Sequence, residues 1–176
     1  MPEILTLAVI KNEFTPQGWS VESIENTKLD LKENEVIQKY IVQQLSSSKA
    51  IIRDIASFMI IEFRIQRAKQ KLIERILSPD TENYNGTMTY ALSHLSCKNE
   101  LVKVFRILTT QSFESKMNAY AILSEQEFEF TEDDLDQMKA LWETFISRPE
   151  QYFAIDEGTV EMVRDVYEGF VFYEKN

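Results

Sequence analysis

His94 and Cys97 stand three residues apart and could share a helix face, the arrangement a thiol nucleophile and its base require. Such a pair also needs a third group to orient the imidazole, and the apolar pattern breaks where these two residues lie. The expectation is therefore a polar histidine and a small buried cysteine at a helix junction. Glu62 is the second candidate. On a helix running through it, its side chain points into the centre of an apolar arc, with Gln66 one turn on and Lys69 beyond. A carboxylate there must be paired, protonated or hydrogen-bonded. Its chemistry would be that of a metal ligand, or of an acid–base group with a raised pKa. A single carboxylate without a companion is a weak sign of a site. Glu62 is expected to be structural, meeting an Arg or Tyr from another helix or lying on a partly wet face.

Other chemistry is closed off by what the chain lacks. One histidine cannot supply the two Glu-x-x-His pairs of a dinuclear carboxylate site, and one cysteine cannot build a thiolate zinc site or an internal disulfide. The run TEDDLD has the acid density of a magnesium-holding aspartate cluster, but its spacing is wrong and no partner cluster exists. There is no Gly-rich phosphate loop, no nucleophile elbow and no zinc signature. An Arg-x4-His ribonuclease pattern is absent, because no Arg precedes His94 by five. The sequence carries no signature for a metal or cofactor, and no motif carries a family resemblance.

Charge is more informative. The 176 residues carry a formal net charge of −10, unevenly spread. Residues 49–77 hold seven bases against three acids, whereas residues 125–176 hold fifteen acids against four bases. The bases Arg53, Arg64, Arg67, Lys71 and Arg75 fall on one narrow stripe of a helix and could bind phosphates. That stripe has no interleaved aromatic and belongs to a net acidic chain, which repels nucleic acid. The expectation is that it faces the chain's own acids, within one molecule or across a homodimer. The acids Glu125, Glu127, Glu129, Glu132, Asp133, Asp134 and Asp136 form the densest negative run. They exceed what solubility asks and could steer a basic partner.

These residues must be positioned by helices. Gly and Pro number four each, and 176 residues suffice for one domain with its own core. The stretch 49–77 has no Gly or Pro and reads as one long helix, expected to be central because its apolar arc is wider than one neighbour could cover. Before it, a helix is predicted over 34–45, ended by Ser46 to Ser48, one of which could cap the long helix. Pro79 ends that helix, and Thr87 could cap the next. The apolar face of Met88, Ala91, Leu92 and Leu95 loses phase before Leu101, Val104, Phe105 and Leu108, which places a break near 96–99. A helix over 111–123 is predicted to turn Phe113, Met117, Tyr120 and Ala121 inward. Thr131 with Asp134 resembles a capping box opening a helix that runs to Pro149, and a last helix covers 159–173. The runs 4–10 and 125–130 could form a small β element. Pro16 and Gly18 bracket a turn that would drop Trp19 onto the core.

The sequence thus predicts an all-α domain, an irregular bundle of six to seven helices around a long central one. The N-terminal apolar run is too short to span a bilayer and lacks the marks of a signal peptide, so a cytoplasmic protein without a membrane partner is expected. The expected role is non-enzymatic: an interaction or regulatory protein, of inhibitor, immunity or adaptor type, that offers its acidic C-terminal third to a basic protein. A nucleic-acid-binding regulator using the basic stripe is the second reading. A small enzyme built on Glu62 or His94 and Cys97 is the third.

Overall fold

Local helical signals and the packing they permit explain most of the architecture. The structure, a computed structural model, describes residues 3–6, 10, 27–29, 34–82, 84–147 and 157–174, with side-chain placement for all but 3–5, 27–29 and 173–174. The expected turn at Pro16 to Gly18, the seat of Trp19 and the stop at Pro149 lie outside those residues. Among the described residues the protein is all-α. Its helices are α1 (Asn34–Gln44), α2 (Ala50–Glu62), α3 (Lys69–Ile76), α4 (Gly86–Ser93), α5 (Leu101–Thr110), α6 (Phe113–Glu125), α7 (Glu132–Ser147) and α8 (Glu157–Glu174).

A short parallel pairing joins β1 (Glu3–Leu5) to β2 (Thr27–Leu29), with Ile4 opposite Lys28. The β partner expected at 125–130 is not used. That segment runs on from α6 with one strand-like bond, from the Glu129 N–H to the Lys98 carbonyl at 2.8 Å. Its alternation is real all the same. Phe128 and Phe130 turn inward and meet the ring of Phe170 edge-on, at 5.8 and 5.6 Å, while Glu127 and Glu129 face solvent.

The long helix expected over 49–77 is two helices. After Glu62 the chain makes a Schellman turn: the Arg64 N–H donates to the Ile61 carbonyl at 3.1 Å and the Ile65 N–H to the Ile60 carbonyl at 3.0 Å. Arg64 takes the left-handed position with φ +49°, where glycine is the usual residue. Ile60 and Ile65 bury together across the turn, the apolar contact that accompanies this cap. A one-turn 3-10 helix, Gln66–Ala68, then leads into α3. Packing supplies the reason for the break, since α2 and α3 both lie against the short α4, which one straight helix could not do.

The hub of the bundle is accordingly not residues 49–77. It is α4, α5 and α6: α5 sits between α6 and α7, and α4 between α6 and the α2–α3 pair. Phe105 of α5 is fully buried, with Tyr167 of α8 tilted against it and Trp142 of α7 stacked on Tyr167 at 5.6 Å. Ile41, Met59, Leu72, Met88 and Ile122 bring the remaining helices into the same core. The predicted break near 96–99 falls between α4 and α5.

Two predicted caps are replaced. Asn85, not Thr87, precedes α4. No serine side chain caps α2; instead the guanidinium of Arg53 donates to the carbonyls of Ser47 and Ser48 and ties the loop from inside. No helix among the described residues is long and apolar enough to cross a membrane.

Candidate functional site

The nucleophile reading fails on geometry. Cys97 is fully buried, its thiol directed at the carbonyls of Leu92 and Leu95, and burial pushes its pKa up to about 11. His94 is exposed beyond the end of α4, with Nδ1 on the Tyr90 carbonyl at 3.0 Å and its ring edge-on to Tyr90. No hydrogen bond joins the two, and a neutral buried thiol is a poor nucleophile. Glu62 is solvent-exposed at the last turn of α2. The apolar arc that enclosed it in a straight helix ends there, because the turn at Arg64 resets the phase. Among the described residues no three acidic, His or Cys side chains gather closely enough to hold a metal ion.

The basic stripe is divided by the same turn. Arg53 is buried, 4% exposed, and engaged with the loop carbonyls already named. Arg67 faces Glu35 at 3.7 Å, Lys71 holds Glu74 at 2.7 Å, and the largely covered Arg75 reaches Asp80 at 3.8 Å. Arg64 is exposed. The five do not form one exposed row, and the acids they meet lie in α1, in α3 itself and just after α3. No acid of the C-terminal third pairs with them among the described residues.

Those acids lie on the surface instead. Glu125, Glu127, Glu132, Asp133 and Asp136 are exposed. Glu129 holds Lys98 at 2.7 Å, an ion pair that also raises the lysine's pKa. Asp134 serves the helix: it accepts from the Thr131 N–H at 2.8 Å while its own N–H donates to the Thr131 hydroxyl at 3.3 Å, the reciprocal capping box predicted from sequence. The residues that could act on a partner are therefore five, once Glu129 and Asp134 are assigned to the fold.

Sequence reasoning missed the interior of α6. Of the predicted inward face, Phe113 and Met117 point outward, 54% and 44% exposed, while Tyr120 and Ala121 are half-buried; Ser115 and Lys116 are fully buried. Open helix ends explain the inversion. The ammonium of Lys116 donates to the Leu108 and Thr109 carbonyls, in the last turn of α5, where carbonyls lack helical partners. Burial lowers its pKa to about 8, and the Phe145 ring lies 5.9 Å from its nitrogen. Asn85 donates to the last carbonyl of α3, that of Ile76, at 3.0 Å, and to Gln111 Oε1 at 2.6 Å. Its own oxygen accepts from Ser115 at 2.6 Å and Ser112 at 3.1 Å. Glu100, buried before α5, is held by Lys103 at 2.8 Å and Lys69 at 3.6 Å, and by Gln70, which ties α3 to α5. No periodicity announces such residues. The one signal available was the scarcity of Gly at helix ends, which leaves carbonyls for side chains to satisfy.

Two hollows flank the outward edge of α6. The first, about 450 Å³, lies between α2, α4 and α6 and is lined by Phe58, Tyr90, Phe113 and Met117 with Gly86 and Glu114. The second, about 210 Å³, lies between α6 and α8 and is lined by Tyr120, Leu123, Val166, Gly169 and Phe170 with Asp165. Both are open to solvent, and among the described residues neither is lined by a Lys or Arg. This chain matches no protein-family model, no curated protein and no solved structure.

Proposed function

We propose that this is a non-enzymatic interaction protein, of inhibitor, immunity or adaptor type, that presents the acidic surface of its C-terminal third to a basic protein in the cytoplasm. One observation carries the reading: Glu125, Glu127, Glu132, Asp133 and Asp136 are exposed and form no ion pair with a base among the described residues. Charge left unneutralised on a folded surface raises the on-rate for a partner of opposite sign and is screened over about 8 Å at physiological salt. A buried lone cysteine suits a reducing compartment. The dispersal of His94 and Cys97 and the exposure of Glu62 favour binding over catalysis.

The test is a fourfold reversal, Glu127→Lys, Glu132→Lys, Asp133→Lys and Asp136→Lys, which spares the cap and the Lys98 pair. Association with the partner protein should slow at least tenfold and lose its salt dependence, with helix content unchanged by circular dichroism. A partner whose association ignores both the reversals and added salt contradicts the proposal.

A further inference from the structure

The outward edge of α6 is a better-defined feature than the acidic run. Phe113, Met117, Tyr120 and Ser124 recur at i, i+4, i+7 and i+11 and so lie along one line of the helix. At 1.5 Å per residue that line is roughly 17 Å long, about three helical turns. The first hollow opens beside its N-terminal half and the second beside its C-terminal half. A side chain at Gly169 would meet nothing within 4 Å, so the second hollow has space above that glycine. The helix thus carries an outward ridge with a pocket at each end, while its other face is occupied by the polar contacts of Ser115 and Lys116 and by Ala119 and Ile122 in the core.

Charge around the ridge has one sign. Glu114 lines the first hollow and Asp165 the second. On α2, Asp54 and Glu62 stand one turn before and after Phe58, on the edge that reaches the first hollow. None of these four carboxylates pairs with a base among the described residues. An occupant must therefore bring apolar groups to the ridge and cations to its rim.

We propose that the α6 ridge and its two hollows bind an amphipathic helix of the partner, with apolar residues at i, i+4 and i+7 and Lys or Arg flanking them. This is recognition of a helix in a groove, in which two or three apolar anchors supply affinity and the rim supplies selectivity. It rests on the reading that the partner is basic, and assigns the anchoring contacts to α6 instead of the acidic run at 125–136. The apolar part of the ridge, Phe113 to Tyr120, spans about two turns, as do anchors at i, i+4 and i+7 on the bound helix.

The probe is a synthetic peptide of about 18 residues, long enough to form a helix on binding, with Leu at i, i+4 and i+7 and Lys at the flanking positions. A control peptide keeps the Leu residues and replaces Lys by Glu. The full chain, labelled at its methionine methyls, is titrated with each. The account expects the Lys peptide to shift the Met117 methyl resonance and to bind at least tenfold more tightly than the Glu control. Phe113→Ser with Met117→Ser should weaken it at least tenfold, read by anisotropy of the labelled peptide. Glu62→Lys, Glu114→Lys and Asp165→Lys together should weaken it about as much. Reversing Glu127, Glu132, Asp133 and Asp136 should change it less than threefold. If those reversals abolish binding while the Phe113 and Met117 changes do not, the ridge is wrong and the acidic-run reading stands. Absence of binding, equal binding of both peptides, or an unmoved Met117 overturns the inference. So does a dimer on sedimentation that Phe113→Ser dissolves, or, in the free protein, Overhauser contacts from Met117 to a segment of this chain outside the described residues.

Discussion

Helices α2 and α6 are both thirteen residues long and both carry apolar side chains at helical spacing, yet the first half of α6 turns some of those side chains outward where α2 turns them in. In α2 the apolar arc goes inward: Ile52, Ile55, Met59 and Ile60 are buried, and the polar residues on that side, Arg53 and Ser57, bond to backbone carbonyls. In α6 only the first turns are reversed: Ser115 and Lys116 go inward and Phe113 and Met117 are left to solvent, whereas Ala119, Ile122 and Leu123 further along are buried in the core. The difference lies in what each helix meets. Helix α2 meets apolar faces of α1 and α4. Helix α6 meets the open end of α5, where the carbonyls of Leu108 and Thr109 need donors, and the side chain of Asn85, whose amide oxygen accepts from Ser115. An unsatisfied buried polar group costs about 1–3 kcal/mol, comparable to the gain from burying one more apolar side chain. The open end of α5 decides the phase there.

The largest expected effect separates the two helices by truncation. Met59→Ala in α2 removes a fully buried side chain and should cost about 2–5 kcal/mol. Met117→Ala in α6 should cost less than about 1 kcal/mol, as for a surface site. Urea denaturation of both variants measures the contrast, and equal losses would erase it.

A smaller effect isolates the inward face of α6. Burial lowers the Lys116 pKa from 10.5 to about 8, so between those values the unfolded chain binds more protons than the folded one. Stability contributed by this group therefore rises with pH from about 8 to 10.5 and is lost as pH falls through about 8, by roughly 3 kcal/mol in total. Cys97, whose pKa is raised, acts with the opposite sign over part of that range. The Lys116 contribution is read as the difference between wild type and Lys116→Met. At pH 7 that variant removes a desolvated charge but also leaves the Leu108 and Thr109 carbonyls without their donor, two effects of opposite sign. The difference between the two proteins should shift in favour of wild type as pH rises from 8 to 10.5. A pH-independent difference means Lys116 is solvated.

The smallest effect concerns why α2 ends where it does. Arg64→Gly should stabilise the protein by up to about 1 kcal/mol, because glycine adopts the left-handed position without steric cost. In an unbroken helix the same change would destabilise by about 1 kcal/mol. The sign of the change in denaturation midpoint distinguishes the two.

Sequence reading succeeded where local chemistry decides. The capping box at Thr131 and Asp134 and the phase slip before Leu101 depend on a few neighbouring residues, and each took the expected form, whereas the run 125–130 kept its inward Phe128 and Phe130 without becoming a strand. It failed where distant segments decide. Between Lys49 and Leu77 no Gly or Pro marks the turn at Arg64, and the carboxylate of Glu62 at the centre of the apolar arc is the one residue there that a straight helix places badly. The inward Lys116, Asn85 and Glu100 answer carbonyls and ammonium groups from other helices, so their burial could not be read from their own segments. Of the candidate site residues, the acidic run stayed on the surface as expected. The basic stripe was divided by the turn and drawn into local pairs.

The inversion of α6 is the central claim, and side-chain labelling tests it directly. Brief exposure of the native protein to peroxide, followed by peptide mass spectrometry, compares Met117 with Met59, Met88 and Met138, which are all fully buried. An amine-reactive label in the same sample compares Lys116 with the exposed Lys103 and Lys139. The account predicts that Met117 oxidises at least tenfold faster than the three buried methionines while Lys116 resists labelling. A protected Met117 beside a readily labelled Lys116 would place the apolar face of α6 in the core and contradict it.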